Sequence, residues 1–164
     1  MAVSAAYDLK LAVTETPSFG LDYATDRDLL HRFVSTGTLT GSTTVPVTKV
    51  AALAVQLSSG AATIDLTSVT HGSELNAVDM SGLKVQLMKV RARSTNSSTV
   101  IIVDGATNGY LIFGDSSGQI TLSAGMEALF FFNESLADVS ASVKTIDISG
   151  SDQDAYIDFI IVAG

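Results

Sequence analysis

The 164-residue chain predicts an all-β protein: an antiparallel β-sandwich or jelly roll of about ten short strands with little helix. Three observations carry this expectation. Apolar residues recur with a period of two in one segment after another, and Gly, Asn, Asp and Ser punctuate the chain at short intervals between them. The third is composition: 20 Ser and 17 Thr supply much of the polar covering, and hydroxyl side chains suit strands and turns better than helices. The length matches one domain at about 150 residues each, enough to bury roughly 70% of the unfolded surface. Residues 1–35 are expected to form an N-terminal arm or the first strands, and residues 36–164 the sandwich, as a single domain overall.

Taken in order, Tyr7, Leu9, Leu11 and Val13 alternate with Asp8, Lys10 and Ala12, as in a half-buried strand. Residues 25–34 read two ways. Thr25 with Asp28 makes a weak capping box before a helical face of Leu29, Leu30, Phe33 and Val34, whereas Leu29, His31 and Phe33 alternate as a strand. The strand is preferred because helix signals appear nowhere else. Phe19-Gly20 and residues 37–41 would suit hinges of an arm, since Gly permits the turns. Strands are expected at 44–50, 52–57 and 63–66, with Pro46 forcing the first to an edge or an irregularity because it has no N–H to donate.

In residues 83–93, Leu83, Val85 and Leu87 point one way and the apolar phase then switches to Met88, Val90 and Ala92. That parity change requires an inserted residue, so a β-bulge is expected near Leu87 and Met88. Beyond it Lys89, Arg91 and Arg93 form a basic row, either a solvent-screened strand face or a docking surface for an acidic neighbour. Residues 100–103 and 110–113 read as a hairpin around a Gly- and Asn-bearing turn. Further strands are expected at 119–122, 127–133, 143–149 and 156–162, the last so continuously apolar that it belongs at the centre of a sheet. Thr63-Ile64-Asp65-Leu66 is echoed by Thr145-Ile146-Asp147-Ile148, which reads as one strand chemistry used twice.

Charge narrows the function. The formal net charge is -8, and all of it lies in the second half: residues 1–93 carry eight basic and eight acidic side chains, residues 94–164 only Lys144 against nine acids. This balance opposes nucleic-acid binding, which needs clustered Lys and Arg. The acidic half reads either as a solvated surface or as complementary charge for assembly. With no Cys, thiolate metal sites and disulfides are excluded. The longest apolar runs, 128–132 and 159–163, fall far short of the roughly 20 residues of a membrane helix, so no membrane span is expected. No basic region precedes an apolar segment at the N-terminus, so no signal peptide is expected. Charged residues are only 16% of the chain and mean hydropathy is positive, which is apolar for a small soluble monomer. Part of that surface is expected to be covered by other subunits.

Chemical motifs are weak. Gly114-Asp115-Ser116-Ser117-Gly118 fits G-x-S-x-G, but a strand-like 119–122 follows it where a nucleophile elbow needs a helix, and both His31 and His71 precede the serine. The chymotrypsin order is formally available through His71 and Asp104, without supporting sequence around His71. A Gly-Asp-Ser turn explains the segment. Asp65, His71 and Glu74 lack metal-ligand spacing, and Asp152, Asp154 and Asp158 lack a calcium-loop pattern. Asn96-Ser97-Ser98 and Asn133-Glu134-Ser135 match glycosylation sequons and read as surface turns. No catalytic constellation, metal or cofactor is expected.

Several segments together resemble virion structural proteins of tailed bacteriophages. They are Met80-Ser81-Gly82-Leu83-Lys84-Val85-Gln86, the Ser94-Thr95-Asn96 turn, the Gly114 loop, Ser123-Ala124-Gly125 before an aromatic strand, and Lys144-Thr145-Ile146-Asp147-Ile148-Ser149-Gly150 leading to Ile160-Ile161-Val162-Ala163-Gly164. The likeness spans residues 60–164. It implies a β-sandwich or jelly-roll module on the virion, most like a capsid decoration (cement) protein. Such a protein is non-enzymatic, often trimeric and bound to the major capsid protein on the head surface, after synthesis in the host bacterial cytoplasm. Lys89, Arg91 and Arg93, or the acidic half, would then lie in interfaces. The alternative is a tail-fibre or spike head that binds host surface glycans, a reading weakened by the absence of Trp and the presence of only four Tyr. An esterase built on Ser116 is a distant third.

Overall fold

The computed structural model describes residues 2–15, 29–70, 77–103 and 107–164. Among these are ten strands and no helix: β1 (Ser4–Glu15), β2 (Leu29–Thr40), β3 (Lys49–Gln56), β4 (Ala61–Asp65), β5 (Val85–Ala92), β6 (Val100–Val103), β7 (Gln119–Leu122), β8 (Glu127–Phe131), β9 (Thr145–Gly150) and β10 (Tyr156–Ala163). Every strand pair is antiparallel.

Eight strands form two four-stranded sheets, ordered β3-β10-β5-β8 and β4-β9-β6-β7. The pairs β6·β7, β5·β8, β4·β9 and β3·β10 nest inside one another along the chain. A single long hairpin, folded at the 103–119 connection and rolled so that successive pairs fall in alternate sheets, gives this order. It is the jelly-roll arrangement, which satisfies most strand edges without a closed barrel. The inward faces follow the alternation in the sequence. Ile157, Phe159 and Ile161 of β10, Met88 and Val90 of β5, and Ile146 and Ile148 of β9 meet Val100, Ile102 and Leu122 in one dry core. As its unbroken apolar character predicts, β10 is central, between β3 and β5.

Several local expectations change in the folded chain. The stretch 44–57 yields one strand, β3, and Pro46 lies outside it. The bulge sits one residue earlier than expected, at Gln86: Val162 pairs with Leu87 and Ala163 with Val85, which skips Gln86. Val85 therefore shares the inward face with Met88, while Leu87 turns outward. Buried Gln86 holds this kink by donating from Nε2 to the Gly164 carbonyl (3.3 Å) and accepting the Glu134 N–H at Oε1 (3.0 Å). Residues 110–113 are not a strand, and the partner of β6 is β7. Tyr110 instead plugs the end of the sandwich, its hydroxyl donating to the Ala137 carbonyl (2.7 Å) and accepting the Val85 N–H (3.0 Å).

The Thr-Ile-Asp echo has a structural meaning. Its two copies pair with each other, Ile64 opposite Ile146, Thr63 opposite Asp147 and Asp65 opposite Thr145. Antiparallel pairing turns the repeat into a local two-fold, placing a Thr opposite an Asp on each side of the isoleucines. Thr63 donates to Asp147 Oδ1 at 2.6 Å, whereas Asp65 takes Lys144 Nζ at 2.6 Å instead.

β1 and β2 stand apart from both sheets. They form a two-stranded ribbon of twelve matched pairs, from Ser4 opposite Thr40 to Glu15 opposite Leu29. The ambiguous segment is thus a strand from Leu29 onward, and it continues to Thr40, past the boundary expected at residue 35. Residues 25–28 and the Phe19-Gly20 hinge lie outside the described residues.

Candidate functional site

Directly opposed residues in an antiparallel pair project to the same face, so the ribbon has two distinct sides. One carries Ala5 with Leu39, Tyr7 with Gly37, Leu9 with Ser35 and Leu11 with Phe33, followed by Val13; the other carries Asp8 with Thr36, Lys10 with Val34 and Ala12 with Arg32. The first is an apolar stripe. Its base packs on the outer face of the β3-β10-β5-β8 sheet, where Val3, Ala5, Tyr7 and Leu39 meet Val50, Val162, Leu87, Leu129 and Phe131. Tyr7 stacks on Phe131 with ring centroids 5.0 Å apart. This close approach explains Gly37: a Cβ there would lie 2.8 Å from the Tyr7 hydroxyl and 2.9 Å from its ring. Gly37 is a packing glycine beneath an aromatic, not a hinge.

Phe131 belongs to β8, the edge strand, so the ribbon leaves its own sheet just past Tyr7. The stripe does not end there. Leu11 is 61% exposed, Phe33 63% and Val13 46%, with Leu30 and Val34 also open on the opposite side. Leu11, Val13 and Phe33, together with Arg32, line a shallow open depression on this overhang.

The outer face beneath the ribbon is covered only in part. Cross-strand register sets it out in rows: Val50, Val162, Leu87 and Phe131 lie under the ribbon base. The next rows are Ala52, Ile160, Lys89 and Leu129, then Ala54, Asp158, Arg91 and Glu127. In these rows Ala54, Lys89, Arg91 and Glu127 are exposed and Ala52, Asp158 and Leu129 half-buried, and Ile160 is 45% exposed in the middle of a central strand.

The basic row predicted from sequence lies here, on one face, but its charges differ in availability. Lys89 pairs with Glu127 at 3.2 Å. Arg93 grips Asp158 through both Nε and Nη2, with the shortest contact 2.6 Å, and its guanidinium lies 4.8 Å over the Tyr156 ring. That hydrogen-bonded carboxylate holds the Arg93 pKa above its usual value. Among the described residues Arg91 alone of the three has no ion-pair partner. Two of the three cations are therefore neutralised by acids of the second half, so part of the charge asymmetry along the chain is cancelled within the fold.

Other acids serve turns. Asp152 accepts Ser97 N–H (2.8 Å) and Oγ–H (2.9 Å), which lowers its pKa. Asp115 accepts Ser117 N–H (2.6 Å) and Oγ–H (2.8 Å) with the same effect. The Gly114 segment is thus a turn held by Asp115, with Ser116 exposed. His31 lies in β2, while His71, Glu74 and Asp104 fall outside the described residues. Asp158 is engaged by Arg93, and no three His, Asp or Glu side chains converge as a metal site among the described residues. Asn96, read as part of a surface turn, is buried: its side chain donates to the Tyr156 carbonyl (2.8 Å) and accepts the Tyr156 N–H (2.9 Å), extending the ladder. An Asn in a Ser-Thr-Asn-Ser-Ser run gives no sequence signal of that.

Comparison with known proteins finds no matching protein-family model and no matching curated protein. Among solved structures, the chain is similar to one in the X-ray crystal structure of tomato aspermy virus, at 14% identity and TM-score 0.42, over 70% of this chain and 76% of that one. It is also similar to a chain of the cryo-EM structure of an extra small virus particle (VLP) from the giant freshwater prawn Macrobrachium rosenbergii. There the identity is 11% and the TM-score 0.34, over 74% of this chain and 82% of that one.

Proposed function

We propose that this protein is a non-enzymatic virion structural protein of the decoration (cement) type, sitting on the head of a tailed bacteriophage as a homotrimer bound between major capsid protein subunits. The observation that carries the reading is the nested strand order, a jelly roll of the kind that builds viral shells, with a ribbon projecting from it. Two further features support it. Among the described residues Asp152 and Asp115 hold turns, and Glu127 and Asp158 pair with Lys89 and Arg93. Among the described residues apolar surface remains exposed on the ribbon beyond its base, at Leu11, Val13 and Phe33, as a subunit of an assembly requires. Lys89, Arg91 and Arg93 lie on the open half of the outer sheet face, which serves an interface of the assembly, with Arg91 as the cation of the three that has no ion-pair partner among the described residues. Co-sedimentation of the purified protein with tailed-phage heads stripped of decoration tests the reading. Saturable binding and heads that survive more heating are expected. Absence of binding would end the decoration role, and reproducible glycan binding in its place would move the protein to a tail fibre or spike.

A further inference from the structure

The ribbon overhang and the open rows of the outer sheet face are two halves of one unsatisfied contact. From them we infer that the overhang of one copy packs on the open rows of a second copy of this chain. The inference rests on the self-association contained in the proposed function and names its surfaces: Leu11, Val13 and Phe33 on one copy against Ala54, Ile160 and Arg91 on the next.

The argument begins with what the ribbon already does. One apolar stripe runs its length, and the covered part of that stripe sits on the outer face of the β3-β10-β5-β8 sheet. The uncovered part continues the same surface past β8, so it has left the reach of its own sheet. A two-stranded ribbon with nothing on its face is marginally stable in water. The open rows offer what the covered rows offered. Ile160 supplies an exposed apolar centre, the small side chain of Ala54 leaves room beside it, and Arg91 has a guanidinium available to an aromatic ring such as Phe33.

Charge favours the same occupant. The stripe residues Leu11, Val13 and Phe33 are uncharged, and Asp8 and Lys10 lie on the other side of the ribbon. The open rows hold Lys89 with Glu127 and Arg93 with Asp158, leaving Arg91 in excess. Two copies of a chain with net charge -8 repel overall, and this pairing joins a neutral surface to a slightly positive one. The contact is heterologous, since different surfaces meet. It closes as a ring when the rotation allows, as a trimer does, or reciprocally between two copies.

The experiment is the solution mass of the full chain by light scattering, for wild type and for Phe33→Asp and Ile160→Asp, with circular dichroism to confirm that each variant folds. Wild type is expected to be an oligomer and each variant a 17.0 kDa monomer. An equimolar mixture of the two variants is expected to form a one-to-one pair, because one intact overhang and one intact sheet face remain between them. Since the chain has no cysteine, Phe33→Cys and Ile160→Cys provide a second test, with a disulfide expected only when the two proteins are mixed. A wild-type monomer overturns the inference, as does an oligomer that survives Ile160→Asp or variants that fail to complement. Shell binding separates the two claims. A monomer that still binds heads sinks this inference and spares the decoration role, whereas a complementing oligomer that ignores heads does the reverse.

Discussion

Replacing Tyr110 by Phe removes one oxygen from the end of the sandwich, and its cost can be worked from the contacts. Tyr110 is 1% exposed, and its hydroxyl is both donor to Ala137 and acceptor for Val85. Losing the first bond costs about 1 kcal/mol net, and leaving the Val85 N–H buried without a partner costs roughly 1–3 kcal/mol more. A total of about 2–4 kcal/mol corresponds to a fall in Tm of roughly 5–15 °C for a domain of this size.

Alkali adds a second signature. Burial pushes the Tyr110 pKa up to about 12. A raised folded value means that this stabilisation is fully present below the unfolded value of about 10 and is lost as pH climbs toward about 12. At about 1.4 kcal/mol per pH unit, wild type loses on the order of 3 kcal/mol across that window. Tyr110→Phe has no such group, so the stability gap between the two proteins should shrink by about 2 kcal/mol by about pH 11.5, with the titration of their shared lysines cancelling. Urea unfolding followed by circular dichroism, at about pH 7 and again near pH 11.5, measures both effects. A variant within about 2 °C of wild type at neutral pH would refute the plug, and a gap independent of pH would refute the buried phenol.

Three further outcomes are expected. Asn96→Ala strips both hydrogen bonds from the Tyr156 backbone and should cost about 2 kcal/mol, read by urea unfolding. Gly37→Ala should push the Tyr7 ring off Phe131, forfeiting a stack worth about 1 kcal/mol, and speed proteolysis within the ribbon before the body is cut. In acid, the carboxylates of Asp65, Asp115 and Asp152 have pKa values lowered by hydrogen bonds, led by those from Lys144, Ser117 and Ser97 respectively. Their contribution is present above the ordinary carboxylate value and disappears as pH falls through the lowered ones. Tm should therefore hold down to about pH 4 and drop below it, with a shallower drop in Asp65→Asn and Asp152→Asn.

What the sequence revealed and what it hid divide along physical lines. Period-two segments, such as Tyr7 to Val13, could be read directly, and so could the central place of the almost continuously apolar β10. Tyr110-Leu111-Ile112-Phe113 looked like a strand because an apolar run bounded by turns serves a ladder and a plug equally well; the hydroxyl bonds of Tyr110 decided between them. The parity change in β5 was visible, but Leu83, Val85 and Leu87 fixed it only to within a residue, and buried Gln86 took the bulge by reaching Gly164 and Glu134. The shared face of Lys89, Arg91 and Arg93 could be read from spacing alone. Which of them kept a free charge could not, because Glu127 and Asp158 arrive from strands far along the chain. Nothing local marked Ile160 as exposed within so apolar a strand, since that depends on where the ribbon base ends.

The nesting of the strands also bears on how the chain is made. β3 pairs with β10, across almost the whole body, and β10 is the strand that joins β3 to β5. Until β10 emerges from the ribosome, one sheet lacks its middle, and the inner faces of β3 and β5 stay wet. Among the described strands of the body the innermost pair, β6 with β7, has the partners nearest in sequence, and a lone hairpin is too small to hold. Folding of the sandwich therefore waits for its last strand and carries a high loop-closure cost, slow by the standards of small domains. During that delay the chain displays unpaired strands to its neighbours, and a cell producing many copies at once must keep them apart until the last strand is in place.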